Sequence, residues 1–167
     1  TVPVTSAQAV ANQLVHAGII GILNFAPIVL QVHPSVNART VSELIELARR
    51  EPGKLTMATP SAGTTNHLLS ELFQSLAGVS FTTVHYKGNA PATTDLLAGQ
   101  VHMNFDQVSV ALPYIRQGRV RALASATDKR VTSLADVPTF AEAGLKGLEG
   151  ATFTGIVAPI GTPRDVV

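Results

Sequence analysis

Apolar and polar positions along the chain switch repeatedly between a helical and a strand-like period. Behind Ser6, a helix-capping residue type, Ala9, Val10, Leu14 and Ala17 fall at helical spacing, and Gly18 supplies a stop. Two short apolar runs follow, Ile19–Leu23 and Ile28–Val32, and a corner is expected between them at Ala26 and Pro27. Thr40 and Glu43 have capping-box spacing, opening a helix whose apolar face is Val41, Leu44, Ile45 and Leu47 and which Pro52-Gly53 ends. Leu55, Met57 and Ala58 form a short buried strand that stops at Pro60. Leu68, Leu69, Leu72, Phe73 and Leu76 then recur as one helical face. Strands are expected at Val79–His85, Val101–Phe105, Val120–Ser125 and Ala151–Ala158. Helices are expected from about Pro91 to Leu97 and over Ser109–Gln117, with one or two helical turns within 135–144. Strands alternating with helices across short connections predict an α/β fold of three layers, a mostly parallel sheet with helices on both faces.

Composition narrows the classes of function. Hydrophobic residues make up 46% of the 167 and charged residues 14%, which is a packed chain with a core and not a disordered one. The formal charge is +1 and basic residues run no further than the pairs Arg49-Arg50 and Lys129-Arg130, so no nucleic-acid partner is expected. No stretch is apolar enough to span a membrane, so no membrane partner is expected either. With no cysteine there is neither a disulfide nor a thiolate metal site. No basic-then-apolar leader opens the sequence, so the chain as given is expected to be cytoplasmic.

The candidate chemistry centres on residues 61–67. Ser61, Ala62, Gly63, Thr64 and Thr65 are small or hydrogen-bonding and sit between a strand and a helix. Such a turn leaves the first N–H groups of the helix free, and with the helix dipole they favour an anion. The competing reading is that Ser61 or Thr64 only caps the helix. Neither a G-x-S-x-G elbow nor an assignable histidine–acid pair supports catalysis, so no enzyme is expected. His33, His85 and His102 fall on different strands without ligand spacing, and no metal or cofactor is expected.

Longer motifs extend this picture. His33-Pro-Ser, Thr40–Ala48, Pro52-Gly-Lys-Leu, Ser61–Leu68, Tyr86-Lys-Gly-Asn-Ala-Pro91, Asp95–Val101, Ala111–Gly118 and Asp136–Gly144 stand in collinear order. Residues 32–163 thereby resemble the second lobe of the periplasmic solute receptors of tripartite tricarboxylate transporters, the Bug or TctC-type family. The resemblance implies a periplasmic-binding-protein-like lobe that holds small mono- or dicarboxylates in a cleft. On the matching positions it implies three ligand loops. Ser61–Thr65 would hold a carboxylate through N–H groups and hydroxyls. Tyr86, Lys87 and Gly88 precede a second helix start, where Gly88 allows close approach and Lys87 adds charge, or form an ordinary turn. Asp106 would meet a ligand donor or a water, or cap the next helix. His67, one turn into the focal helix, is a candidate ligand or a packed side chain.

Residues 1–31, notably Thr1–Val10 and Ala17–Pro27, are instead similar to a late strand–helix–strand piece of the Rossmann domain of Rex-type redox-sensing repressors, a cytoplasmic family. The dinucleotide fingerprint G-x-G-x-x-G is absent, which argues against nucleotide binding. The expected organisation is therefore one α/β domain over 1–167, with a Rossmann-derived piece at 1–31 joined to a receptor lobe at 32–167. The reading is an engineered chimeric scaffold with little or no native activity. The alternative is a weak carboxylate-binding domain of a solute-uptake receptor. A sheet edge left exposed by such a graft could pair two copies into a homodimer.

Overall fold

The structure is a computed structural model and describes residues 23–155. The helix expected at Ser6–Ala17, the strand residues 19–22 and residues 156–158 of the last expected strand lie outside the described residues. Six strands, β1 (Leu23–Val32), β2 (Thr56–Thr59), β3 (Thr82–His85), β4 (Met103–Gln107), β5 (Arg121–Ser125) and β6 (Ala151–Gly155), form one sheet. Four helices connect them: α1 (Val41–Arg50), α2 (Thr65–Ala77), α3 (Asn89–Leu97) and α4 (Val108–Arg116).

The strand order is β3-β2-β4-β1-β5, with β6 on β1 alone. β2 pairs parallel with β3 and β4, whereas β1 pairs antiparallel with β4, β5 and β6. Five strands thus share one direction and β1 runs against them. The corner expected at Ala26-Pro27 is not a corner: β1 is one ten-residue strand that changes partners there. Leu23–Pro27 pairs with β6, and Ile28–Val32 pairs with β4 and β5. Pro27, with no N–H to give, sits at the change of ladder, where its missing donor is least costly.

Strand alternation feeds two faces. Ile28, Leu30, Val32, Met57, Met103 and Phe105 point toward α1 and α2, where they join Leu44, Leu69 and Phe73 in the main core. Phe73 stacks on Phe81 at 5.6 Å and meets Phe140 edge-on at 5.9 Å. Against α3 and α4 there are two smaller clusters, one around Ala58, Ala92 and Leu96 and one around Val29, Val108 and Ala111. Gln31, Asn104 and Asp106, all buried, belong to the strand positions of that second face. Gln31 lies directly opposite Asn104, and Asp106 opposite Val29.

Local signals set the helix ends. Thr40 Oγ1 accepts the Glu43 N–H at 3.2 Å, and the Glu43 carboxylate accepts the Arg39 N–H at 2.6 Å, one residue before the expected partner. In α2 the five apolar positions are not one buried face. Leu69, Phe73 and Ala77 are buried, while Leu68, Leu72 and Leu76 are 59%, 36% and 43% exposed. The segment 135–144 holds a single helical turn, as expected, and goes no further. Its one i→i+4 bond, Ala143 N–H to Thr139 carbonyl, is closed off by Leu145 N–H to Phe140 carbonyl. Pro113, expected near the start of its helix, is the sixth residue of α4. The short β3 forms an edge of the sheet.

Candidate functional site

Among the described residues, the topology points to a candidate place for a ligand. β2 and β4 are parallel neighbours, yet the helix after β2 packs on one face of the sheet and the helix after β4 on the other. The chain therefore parts at the carboxyl ends of these two strands, the position where open α/β sheets bind ligands. An open depression of about 590 Å³ lies there, lined by residues including Gly63, Thr64, Thr65, Asn66, Asn89 and Asp106. Pro60 and Val110 give it apolar patches, and Gln107 and Thr152 complete it.

Three loops are tied together around it. Gly88 N–H donates to the Pro60 carbonyl at 2.9 Å and Tyr86 N–H to the Thr59 carbonyl at 2.9 Å, which fastens the loop after β3 to the loop after β2. Asn66 Nδ2 donates to the Phe105 carbonyl at 2.6 Å, which fixes the start of α2 to the end of β4. Thr64 Oγ1 accepts the His67 N–H at 3.4 Å and donates to the Ser61 carbonyl at 2.8 Å, so Thr64 is the cap and Ser61 is not. Gly63 and Gly88 have φ of 77° and 113°, backbone that side chains beyond glycine rarely adopt. Together these bonds aim the N-terminal ends of α2, α3 and α4 at one depression, each with initial N–H groups lacking an intrahelical acceptor.

Asp106 forms the floor. Its Oδ1 accepts from Asn89 Nδ2 and from the Gln107 N–H, both at 2.8 Å, and Oδ2 accepts from Thr93 Oγ1 at 3.3 Å. Burial pushes its carboxyl above the ordinary 3.8, and the Asn89, Gln107 and Thr93 hydrogen bonds pull the other way.

Of the residues singled out from sequence, Gly63, Thr64, Thr65 and Asp106 come together in the depression. Ser61 and Ala62 are exposed in the same loop without lining it, and His67 lies behind it. Tyr86 turns aside: its hydroxyl donates to Asp95 Oδ2 at 2.7 Å, and burial together with that carboxylate lifts the phenol to about 12. Lys87 is exposed, and Gly88 acts through the backbone bond to Pro60. Sequence reasoning did not single out Gln107, Val110 and Thr152, whose convergence is tertiary, while Asn66 and Asn89 stood within the motifs Ser61–Leu68 and Tyr86–Pro91. Among the described residues no cluster of three or more His, Asp or Glu could hold a metal, and no helix is long and apolar enough to cross a membrane.

Comparison with known proteins places the family and the fold. A 142-residue stretch is 44% identical to the UPF0065 protein in the tcbD-tcbE intergenic region of Pseudomonas sp. strain P51, covering 84% of this chain and 42% of that protein. The fold superposes on R. palustris Rpa4515 with adipate at a TM-score of 0.80 and 40% identity, over 88% of this chain and 49% of that one. It matches MatC (Rpa3494) from Rhodopseudomonas palustris with bound malate at 0.79 and 31%, over 88% and 50%. The chain thus spans about half the length of these relatives. A 47-residue stretch is 53% identical to the redox-sensing transcriptional repressor Rex of Syntrophobacter fumaroxidans, covering 28% of this chain and 22% of that protein. Residues 11–167 match the description "Tripartite tricarboxylate transporter family receptor", a span that takes in most of the segment expected to derive from a repressor. Over that length, and with the sheet and helices of those receptor lobes, the chain belongs to the tripartite tricarboxylate transporter receptor family.

Proposed function

We propose that this chain is a lobe that binds small mono- or dicarboxylates for solute uptake, with one ligand carboxylate held where α2, α3 and α4 begin. The observation that carries the reading is the convergence of three helix N-termini on one depression at the carboxyl ends of β2 and β4. Free N–H groups and three dipoles favour an anion, and Pro60 and Val110 offer apolar surface to its methylenes. The relatives solved with adipate and malate support the same ligand class. No covalent chemistry is needed, and the role is reception rather than catalysis. A receptor of this family works in the periplasm, and that location is proposed for this one. Pairing of two copies through the edge of β3 is likewise a proposal, read out by sedimentation.

A second reading, a chimeric scaffold with a repressor-derived piece at 1–31 and no retained binding, is favoured by the 47-residue Rex similarity. One experiment separates the two: an amide-resolved NMR titration with adipate and malate. Saturable shifts confined to residues 63–66, 89–90 and 107–110 are expected for the binding lobe. A dispersed spectrum that neither acid moves refutes binding and leaves the scaffold.

A further inference from the structure

His67 does not line the depression, but its ring reaches back over the turn to a residue that does. Its Nδ1 lies 3.2 Å from the backbone nitrogen of Gly63. A backbone N–H only donates, so Nδ1 is the acceptor here, and the ring proton of the neutral form sits on Nε2. Nε2 in turn faces Glu71 Oε1 at 3.7 Å. On its other side the ring meets that of His85 from β3, with centroids 5.0 Å apart and planes at 66°. His85 Nδ1 is itself engaged with Thr59 Oγ1 at 2.8 Å. Glu71 and His85 are thus the titratable groups that the described residues set against His67, and Asp106 titrates separately on the floor of the depression.

We propose that His67 determines the affinity of the anion site by holding or releasing the Gly63 N–H, an inference that rests on the carboxylate-binding reading above. With the ring neutral, Nδ1 occupies that donor, and an anion meets only the N–H groups of the helix starts. When Nδ1 takes up a proton its lone pair is lost and the bond to Gly63 breaks. The freed N–H turns to the ligand carboxylate, and a positive charge now stands behind the loop. Both changes favour the anion, so by reciprocity anion binding draws a proton onto His67.

The test is calorimetric titration of the whole chain with malate and with adipate between about pH 5 and 8, where imidazoles change charge. Two buffers of different ionisation enthalpy give the proton count, and the Gly63 amide signal is followed over the same range. His67→Gln is the control, because its amide oxygen accepts the Gly63 N–H but takes no proton. In the wild type, affinity is expected to rise roughly tenfold from the upper to the lower pH, the effect of one hydrogen bond to a charged group. Binding is expected to take up a fraction of a proton, and Gly63 to shift in step with the His67 ring. His67→Gln is expected to keep the high-pH affinity throughout, apart from any slope that Asp106 contributes to both proteins. Equal pH dependence in both proteins, proton release on binding, or a Gly63 amide indifferent to the ring overturns the inference and leaves the anion reading standing. No binding of either acid at any pH overturns both. Should His67→Gln fail to fold, the wild-type proton count and Gly63 signal decide alone.

Discussion

Replacing Asp106 by alanine and by asparagine separates the two things its carboxyl does. As an acceptor it satisfies Asn89 Nδ2 and the Gln107 N–H, each at 2.8 Å, and Thr93 Oγ1 at 3.3 Å. As a charge it is buried, and burial raises its pKa. Alanine removes the acceptor. Two donors are then left unsatisfied at about 1–3 kcal/mol each, while the Thr93 hydroxyl can rotate to another partner. Part of that is regained because no carboxylate is buried, so Asp106→Ala is expected to cost about 2–4 kcal/mol near neutral pH. Asparagine keeps the volume. Its Oδ1 accepts from Asn89 and Gln107, and its Nδ2 donates to Thr93 Oγ1, as the protonated acid would. Asp106→Asn is therefore expected within about 1 kcal/mol of wild type near neutral pH. A carboxyl whose folded pKa is raised contributes stability that is full below the unfolded value and is lost as pH rises through the folded value. The wild type thus loses stability relative to Asp106→Asn as pH climbs above the ordinary 3.8. Urea unfolding of the three proteins at a series of pH values measures this directly. If asparagine costs as much as alanine, or its difference from wild type stays flat with pH, the reasoning fails and the carboxylate charge itself holds the loops.

Two further outcomes follow from the packing. Phe73 is fully buried between Phe81 and Phe140, and Phe73→Ala is expected to remove about 3–5 kcal/mol, seen as a lower urea midpoint with an unchanged slope. A loss under about 1 kcal/mol would mean that the aromatic cluster does not hold α2 to the sheet. One of the two tyrosines should ionise only at about 12 by ultraviolet titration, and Asp95→Asn should bring that midpoint down, since the Asp95 carboxylate both accepts from and repels the ionising Tyr86 oxygen. An unchanged midpoint would show that burial alone sets it.

What the sequence disclosed and what it hid divide along local and non-local lines. The Thr40–Glu43 cap and the strand–turn–helix of 55–77 were legible because each is decided within a few residues. The choice of face in α2 was not. Leu68, Leu72 and Leu76 form as good an apolar stripe as Leu69, Phe73 and Ala77, and only Phe81 and Phe140, distant in sequence, select the second. Pro27 signalled a break because proline usually marks one. The strand continues because β6 takes the first half of β1 and β4 and β5 the second. Gln31 and Asn104 fall within expected strands, and only the register sets them opposite each other in the interior. The candidate site was half legible: residues 63–65 and 106 stood out by type and place. Asn66 and Asn89 join them only through bonds between separate loops, whereas Gln107 is held by its neighbour Asp106.

The same geometry sets how tightly a lobe of this kind can hold its ligand. Small-molecule sites commonly bury about 70–90% of the ligand surface, and a good deal of their affinity depends on shedding that water. The depression at β2 and β4 is large enough for a short dicarboxylate but open on its outer side. What its walls offer is mainly orientation. The Asn66–Phe105 and Gly88–Pro60 bonds fix the helix starts before a ligand arrives, so no ordering of these loops opposes binding. On the proposed reading, one carboxylate can be chosen and aimed by these residues alone. The rest of such a ligand would stay in water at this open depression. On the proposed reading this lobe by itself should bind in about the millimolar range, which corresponds to roughly 4 kcal/mol. A markedly tighter constant for the isolated chain would mean that residues outside 23–155 already supply the missing wall.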